Sequence, residues 1–394
     1  MKKMAVSGWA LMASATLLAG LYGDTPDAKH AWAVHDWNRP KPAKVEVDAR
    51  GVPSDAIVLF DGSRESLEKN WCNDKGGPTG WAWREGDFFS VPEWKNGGSI
   101  RTRREFGDCQ LHIEYMHEPD RIYSDKGAQM RGNSGVFLMN NYEVQILESY
   151  YTSSDLQGKP GFVDNYTDGQ AGAVYAENPP AVNPARKPGE WQVYDIVFHQ
   201  PIWKDGRLVH PGSVTVFFNG VLVQDHWEME GLTTHCRRRP LAPHAPKGPL
   251  LLQDHGCVVH FRNIWIREIP SRWDNKTHSA MSADEAEVMK LRNETAARLF
   301  AGVDVSRAGD AGELRKMLEV LAYSKDAKYT EACRKMCGAY AEKLAGAKGD
   351  AAKSLKGEVD GVWNDLMVLR RNDVIPADCP LSAAIGKFRR DNGL

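Results

Sequence analysis

Between Met130 and Ser149 the chain reads MRGNSGVFLMNNYEVQILES, two apolar runs with almost nothing between them. The runs Ser134–Met139 and Tyr142–Leu147 flank Asn140-Asn141, a two-residue connection that suits a tight hairpin turn. Side chains alternate across a strand, so Val144 and Ile146 share one face while Glu143 and Gln145 share the other. A carboxylate beside an amide, on a strand so apolar around them, points to a site rather than to solvated surface. The first run opens with Arg131-Gly132-Asn133-Ser134-Gly135, where two glycines allow a sharp turn and a close approach to a neighbour or ligand. A guanidinium, an amide and a hydroxyl thereby reach the end of the same hairpin. A purely structural hairpin closed by an Arg–Glu ion pair would use the same groups, so this stretch alone leaves both readings open.

The surrounding pattern extends the β reading. AIVLF from Ala56, GWAWREGDFFSV, SIRTRREF and CQLHIEYMH precede the hairpin, and in the last of these Leu111, Ile113 and Tyr115 alternate with His112, Glu114 and Met116. WQVYDIVFH, SVTVFFNG and VLVQDHW follow, with Asn219-Gly220 as a second turn, and then LLLQDHG and VVHFRNIWIREI. Many short strands with no helical pattern between them predict a mainly β, two-sheet antiparallel sandwich over residues 55–270. Residues 150–190 form a long irregular segment, and a loop of that length in a compact domain is usually functional. After Pro270 the period changes. Leu314, Met317, Leu318 and Leu321 fall at helical spacing, as do Cys333, Met336, Cys337, Tyr340 and Leu344, and Leu355, Val359, Val362, Trp363 and Leu366. Ser282…Glu285 and Asp310…Glu313 read as helix starts. Residues 282–394 are therefore expected to be a small α-helical C-terminal domain of four or five helices, and residues 24–54 a Pro- and charge-rich linker.

Charge and targeting narrow the function classes. The net charge of −2 exerts no strong pull toward nucleic acid, and the one dense basic run, Arg237-Arg238-Arg239, reads as a solvated loop. Residues 1–23 join Lys2 and Lys3 to an apolar segment from Trp9 to Leu21, too short for a comfortable transmembrane span. That is the form of a cleaved export signal, leaving no stable membrane anchor in a periplasmic or secreted protein; an uncleaved anchor is the alternative. Seven cysteines is an odd number and none forms a CxxC pair, so Cys333 and Cys337 read as helix-core residues. Thirteen tryptophans, nearly all before residue 274, suit a carbohydrate-handling β protein.

With LFDG at 59–62, RGNSGVF at 131–137, YEVQILES at 142–149, GEW at 189–191 and QDHG…VHFRNIWIREI at 253–269, residues 55–270 resemble the 3-keto-disaccharide hydrolase domain family. The resemblance implies a concanavalin A-like jelly roll, bacterial export, and hydrolysis of glycosides already oxidised to a ketone at C3. In such a fold a concave sheet face is left to bind ligand. Gln253 and His255 lie at the end of LLLQDHG with one parity and are expected to meet Glu143 and Gln145 across the groove. Glu143 and His255 form the candidate proton-transfer pair. Arg131, or a divalent cation held by the same groups, is the candidate for stabilising an enolate oxygen. Asn133, Ser134, Gln145 and Gln253 are candidate sugar-hydroxyl ligands, and Tyr175, Trp191, Trp81 and Trp83 candidate stacking residues. Arg262 shares the parity of Ile264 and Ile266 and reads as a buried structural partner. Two rival classes stand beside this one: a non-catalytic carbohydrate-binding jelly roll, and a retaining glucanase. The latter needs two carboxylates about 5 Å apart, often as E-x-D-x-E, whereas this strand offers Glu143, Gln145 and Leu147.

Overall fold

A computed structural model describes residues 23–91, 98–119, 128–151, 165–270 and 285–394. The chain forms two compact units, one of residues 43–272 and one that joins residues 1–42 to residues 273–394. The export-signal segment lies almost wholly outside the described residues, as does Ser282.

Every strand pair in the first unit is antiparallel. The larger sheet runs, in spatial order, Val221–Glu228, Ser213–Phe218, Gln192–His199, Cys109–His117, Val259–Glu268, Asp87–Phe89 and Ala82–Arg84, and Ile57–Phe60 also pairs with Val259–Glu268. The smaller sheet runs Trp71–Cys72, Ile100–Phe106, Gly248–Leu252, Ser134–Leu138 and Tyr142–Ile146. One core joins them: Leu111, Ile113, Tyr194, Ile196 and Phe198 of the larger sheet and Val136, Leu138, Val144, Ile146 and Leu252 of the smaller are all buried in a single cluster. A third, two-stranded ribbon of Ile202–Lys204 and Arg207–His210 stands apart from both, so the expected two-sheet count is short by one.

The hairpin forms where expected, with its turn displaced by one residue. Leu138 pairs with Tyr142, which leaves Met139, Asn140 and Asn141 as a three-residue loop. Met139 and Asn140 both take positive φ, 53° and 59°, the backbone hand that reverses a twisted pair of strands. The register sets Gly135 opposite Gln145 and Phe137 opposite Glu143, so those four side-chain positions share one face, while Val136, Val144 and Ile146 enter the core. Beyond Tyr142–Ile146, the irregular segment caps the open edge: Gln145 N donates to Ala173 O at 3.0 Å and Tyr175 N to Glu143 O at 3.1 Å. At the second turn, Asn219 and Gly220 take φ of 50° and 80°, as a two-residue hairpin requires.

In the other unit, six α-helices lie among the described residues: Glu285–Ala301, Ala311–Tyr323, Ala327–Gly346, Asp350–Ser354, Lys356–Arg371 and Pro380–Asn392. Leu314, Met317, Met336, Tyr340, Val362 and Leu366 are buried together, as their spacing requires. Asp310 caps its helix by accepting from Glu313 N at 3.0 Å. The stretch expected to be a linker is divided between the units. Trp32 packs on the helical core, Asn38 Nδ2 donates to Glu319 Oε1 at 2.6 Å, and Tyr323 hydrogen-bonds Asp36. Residues 43–54 instead belong to the β unit, with Val47 bridged to Pro53. No helix among the described residues is long and apolar enough to cross a membrane.

Candidate active site

The face shared by Glu143, Gln145 and Gly135 opens into a cavity of about 480 Å³, within the size range of small-ligand sites. Glu143, Gln145, Asn133, Gln253, His255 and Tyr175 all line it. Gln253 reaches this face because the chain leaving Gly248–Leu252 continues the sheet, its N–H donating to Gly135 O at 3.0 Å. Six residues from four separate stretches of sequence thus converge on one concavity.

Glu143 is a strongly perturbed group there. Burial leaves it 3 % exposed and pushes its carboxyl up to about 8. Gly135 makes room for it: a Cβ added at Gly135 would run into the Glu143 carboxylate. The Glu143 backbone is fixed on the other side, its N–H donating to Thr233 Oγ1 at 2.9 Å while Thr233 N donates to Asn141 O at 2.9 Å. Amides share the cavity with the carboxyl. Asn133 Nδ2 donates to Gln129 Oε1 at 3.0 Å, with Gln145 Nε2 3.5 Å from the same oxygen. The buried Gln253 Oε1 accepts no hydrogen bond among the described residues, an arrangement that favours a ligand bringing a donor.

Tyr175 enters through the edge-capping segment. Its hydroxyl lies 2.9 Å from Tyr166 Oη and 2.9 Å from His235 Nδ1, and His235 Nε2 lies 3.1 Å from Cys236 Sγ. Burial first, and the neighbouring Tyr166 hydroxyl second, hold Tyr175 well above the usual tyrosine range, so it stays a proton donor. Tyr166, Thr233, Thr234, His235, Gln129 and Phe137 line the cavity without having been expected there. Thr233, Thr234 and His235 belong to the Pro-rich basic loop, which has no periodicity that could have signalled them.

Five expected site residues fall elsewhere, Arg131, Ser134 and three tryptophans. Arg131 is 4 % exposed, with Nε 3.5 Å from Glu148 Oε2, and its own carbonyl accepts from Glu148 N at 2.8 Å. Gly132, at φ 64°, reverses the chain immediately after it, so Arg131 joins Glu148 and does not line the cavity. Burial outweighs the Arg131 charge and keeps the Glu148 carboxyl above its ordinary range. Ser134 has the core-side parity of Val136 and is fully buried, its hydroxyl donating to Gln253 O at 2.7 Å. Trp191 precedes a strand whose Gln192, Tyr194, Ile196 and Phe198 face inward, which gives it the outward parity. There the Arg262 guanidinium lies 4.1 Å from its ring centroid.

Trp81 is a core residue, and Trp83 is 37 % exposed outside the cavity. Arg262 does have a structural partner, Glu114 at 2.6 Å, yet its side chain is 42 % exposed. A register shift at Asn263, where φ is 44°, breaks the parity that would have buried it.

Among the described residues no group of three or more His, Cys, Asp or Glu side chains is placed to hold a metal ion. Among the described residues lining the cavity, Glu143 is the one carboxylate. The arrangement can offer a proton, receive one, and bind hydroxyls through amides; it does not offer the paired carboxylates of a retaining glucanase.

Comparison with known proteins agrees with a carbohydrate site. A Parabacteroides distasonis protein of known structure, provisionally classed as a glycosyl hydrolase, is 37 % identical; the match covers 61 % of this chain and 98 % of that one, with a TM-score of 0.52. A second such protein from the same organism is 21 % identical over 55 % of this chain and 94 % of its own, with a TM-score of 0.37. A Bacillus subtilis protein of galectin-like fold is 12 % identical over 58 % of this chain and all of its own, with a TM-score of 0.29. No curated protein matches the chain. The sequence profile of the 3-keto-alpha-glucoside-1,2-lyase-like domain matches residues 55–267, more than half of the chain. On that match, and on its likeness to the first of these structures, the chain is a carbohydrate-active protein that belongs to the 3-keto-alpha-glucoside-1,2-lyase-like domain family.

Proposed function

We propose that the cavity cleaves glycosides carrying a ketone at C3, by elimination across C1 and C2 followed by addition of water. The observation that carries this is a buried carboxyl, Glu143, pushed up to about 8, in one cavity with His255 and, among the described residues, with no second carboxylate lining it. A C3 ketone acidifies the C2 proton. A base removes that proton, the electron pair forms the C1=C2 bond, and the C1–O bond breaks toward the leaving sugar. The departing oxygen takes a proton from an acid, and water then adds across C1=C2 to give the 3-keto sugar. This route needs one acid, one base and donors to the ketone oxygen, and no nucleophile from the protein.

Glu143 is protonated at neutral pH and suits the acid role, while His255 suits the base. Arg131 is withdrawn from the enolate role, since it is paired with Glu148. The Tyr175 hydroxyl and the Gln145 amide are the donors the cavity offers for that oxygen. Asn133 and Gln253 remain to hold sugar hydroxyls. The same reading takes the two larger sheets as a concanavalin A-like jelly roll whose concave face forms the cavity.

The test compares 3-keto and ordinary versions of one glucoside, with and without chelator, in deuterated water. Expected are turnover of the 3-keto form alone, deuterium at C2 of the product, and a loss of about 10²–10⁴ in rate for both Glu143→Gln and His255→Ala. Equal turnover of the ordinary glucoside, or product free of deuterium at C2, would overturn the reading. An effect of chelator would assign part of the chemistry to a divalent cation.

A further inference from the structure

We infer that a second cavity, beside the first, binds an anionic group on the sugar across the cleaved bond, a carboxylate or a sulfate ester. The inference rests on the carbohydrate reading of the first cavity and extends it to the class of substrate. The second cavity holds about 220 Å³, roughly the liquid volume of seven waters, which suits one charged substituent rather than another oligosaccharide. Tyr175 and Thr234 line both cavities, so the two are contiguous.

Arg237, Arg238 and Arg239 all line the second cavity. They stand on a loop closed by the Gly231–Pro240 bridge and by Leu232 N donating to Arg239 O at 2.9 Å. Among the described residues none of the three guanidinium groups makes an ion pair or a hydrogen bond, although ion pairs are frequent elsewhere in the chain. Two carboxylates share the cavity, and neither neutralises the arginines. Glu177 is occupied as the anchor of the loop, accepting from Gly231 N at 2.8 Å, Glu230 N at 3.2 Å and Trp227 Nε1 at 3.2 Å. Glu230 lies on the exposed rim and forms no ion pair with them.

Three like charges held together on a fixed loop repel one another. They gain most from a planar or tetrahedral oxyanion that accepts from several guanidinium N–H groups at once. In a chain of net charge −2, this is the one run of three consecutive basic residues, and it lies beside the first cavity.

The experiment uses the full chain and a matched pair of disaccharides, glucosyl-glucuronate and glucosyl-glucose, together with a 6-sulfated glucosyl-glucose. Calorimetric binding of the unoxidised sugars reads the subsite without chemistry, and turnover of their 3-keto forms reads the reaction. Expected is a preference of roughly 10- to 100-fold for an anionic sugar in low salt, weakening as salt rises. The preference is lost in the triple Arg237→Gln, Arg238→Gln, Arg239→Gln variant and largely kept when all three become Lys. The Gln variant should still turn over the neutral 3-keto sugar normally. Which anion binds tighter identifies the substituent. Equal affinity for charged and neutral sugars, or a preference that survives the triple Gln substitution, would overturn the inference. Anion preference without turnover of any 3-keto sugar would sustain the subsite and sink the 3-keto chemistry, and the reverse result would do the opposite.

Discussion

Glu143 titrates about 8 because the cavity wall denies its charge the water it would have in an unfolded chain, where it ionises near 4.5. The native state therefore keeps a proton that the unfolded chain releases between those two values. Stability must fall as pH rises through that window, by up to roughly 5 kcal/mol, and level off above it. Glu143→Gln removes this dependence. The variant should match the wild type in melting temperature near pH 5, exceed it at pH 8, and have lost activity; thermal melts across pH check it, and parallel curves would refute the shift. The same proton predicts that kcat/KM of the wild type declines above about pH 8. At this scale the sequence was partly legible. Glu143, Gln145, Gln253 and His255 were readable from strand parity, since period 2 is a rigid rule within a strand. Arg131 was not, because a turn at Gly132 precedes the strand and parity carries no information across it, whereas Ser134 opens the strand and its parity with Val136 already placed it on the core side. His235 and Tyr166 stand on irregular backbone with no period at all.

At the scale of the element, the hairpin is built around the space at Gly135. Gly135→Ala would press a methyl against the Glu143 carboxyl, an overpacking that costs about 1–3 kcal/mol. The expected outcome is a folded protein with a lower melting temperature, a displaced Glu143, and activity reduced at least as far as its pH profile is shifted. Unchanged kinetics would show that the carboxyl has room to spare. Strands and helices were legible because each repeats a period long enough to read. Their local irregularities were not. The turn moved from Asn140-Asn141 to Met139–Asn141 because register, not the asparagine pair, decides where it closes. Arg262 escaped burial through one left-handed residue at Asn263.

For the molecule as a whole, the unit boundary predicts which pieces stand alone. A fragment of residues 43–270 should fold and keep the cavity intact, whereas residues 23–270 would carry an arm whose Trp32, Asp36 and Asn38 have lost their helical partners. Limited proteolysis should trim the longer fragment back to about residue 43; insolubility of the shorter one would place the boundary elsewhere. Export is predicted from Lys2, Lys3 and the short apolar run, and N-terminal sequencing of protein from the native envelope fraction checks it, an intact Met1 in a cytoplasmic fraction being the contrary result. The periodicity switch after Pro270 announced the helical unit, but nothing in the composition of residues 24–42 tied them to it, because that attachment is made of single long-range contacts. The β unit is consequently an insertion, with the first piece of the helical unit before it and the rest behind. On the ribosome the arm emerges early and must wait through some 280 residues of synthesis before Glu319 and Tyr323 follow, roughly 15–55 s at ordinary elongation rates. The β unit can finish folding in that interval, and the helical one cannot begin to close until the whole β unit has been made.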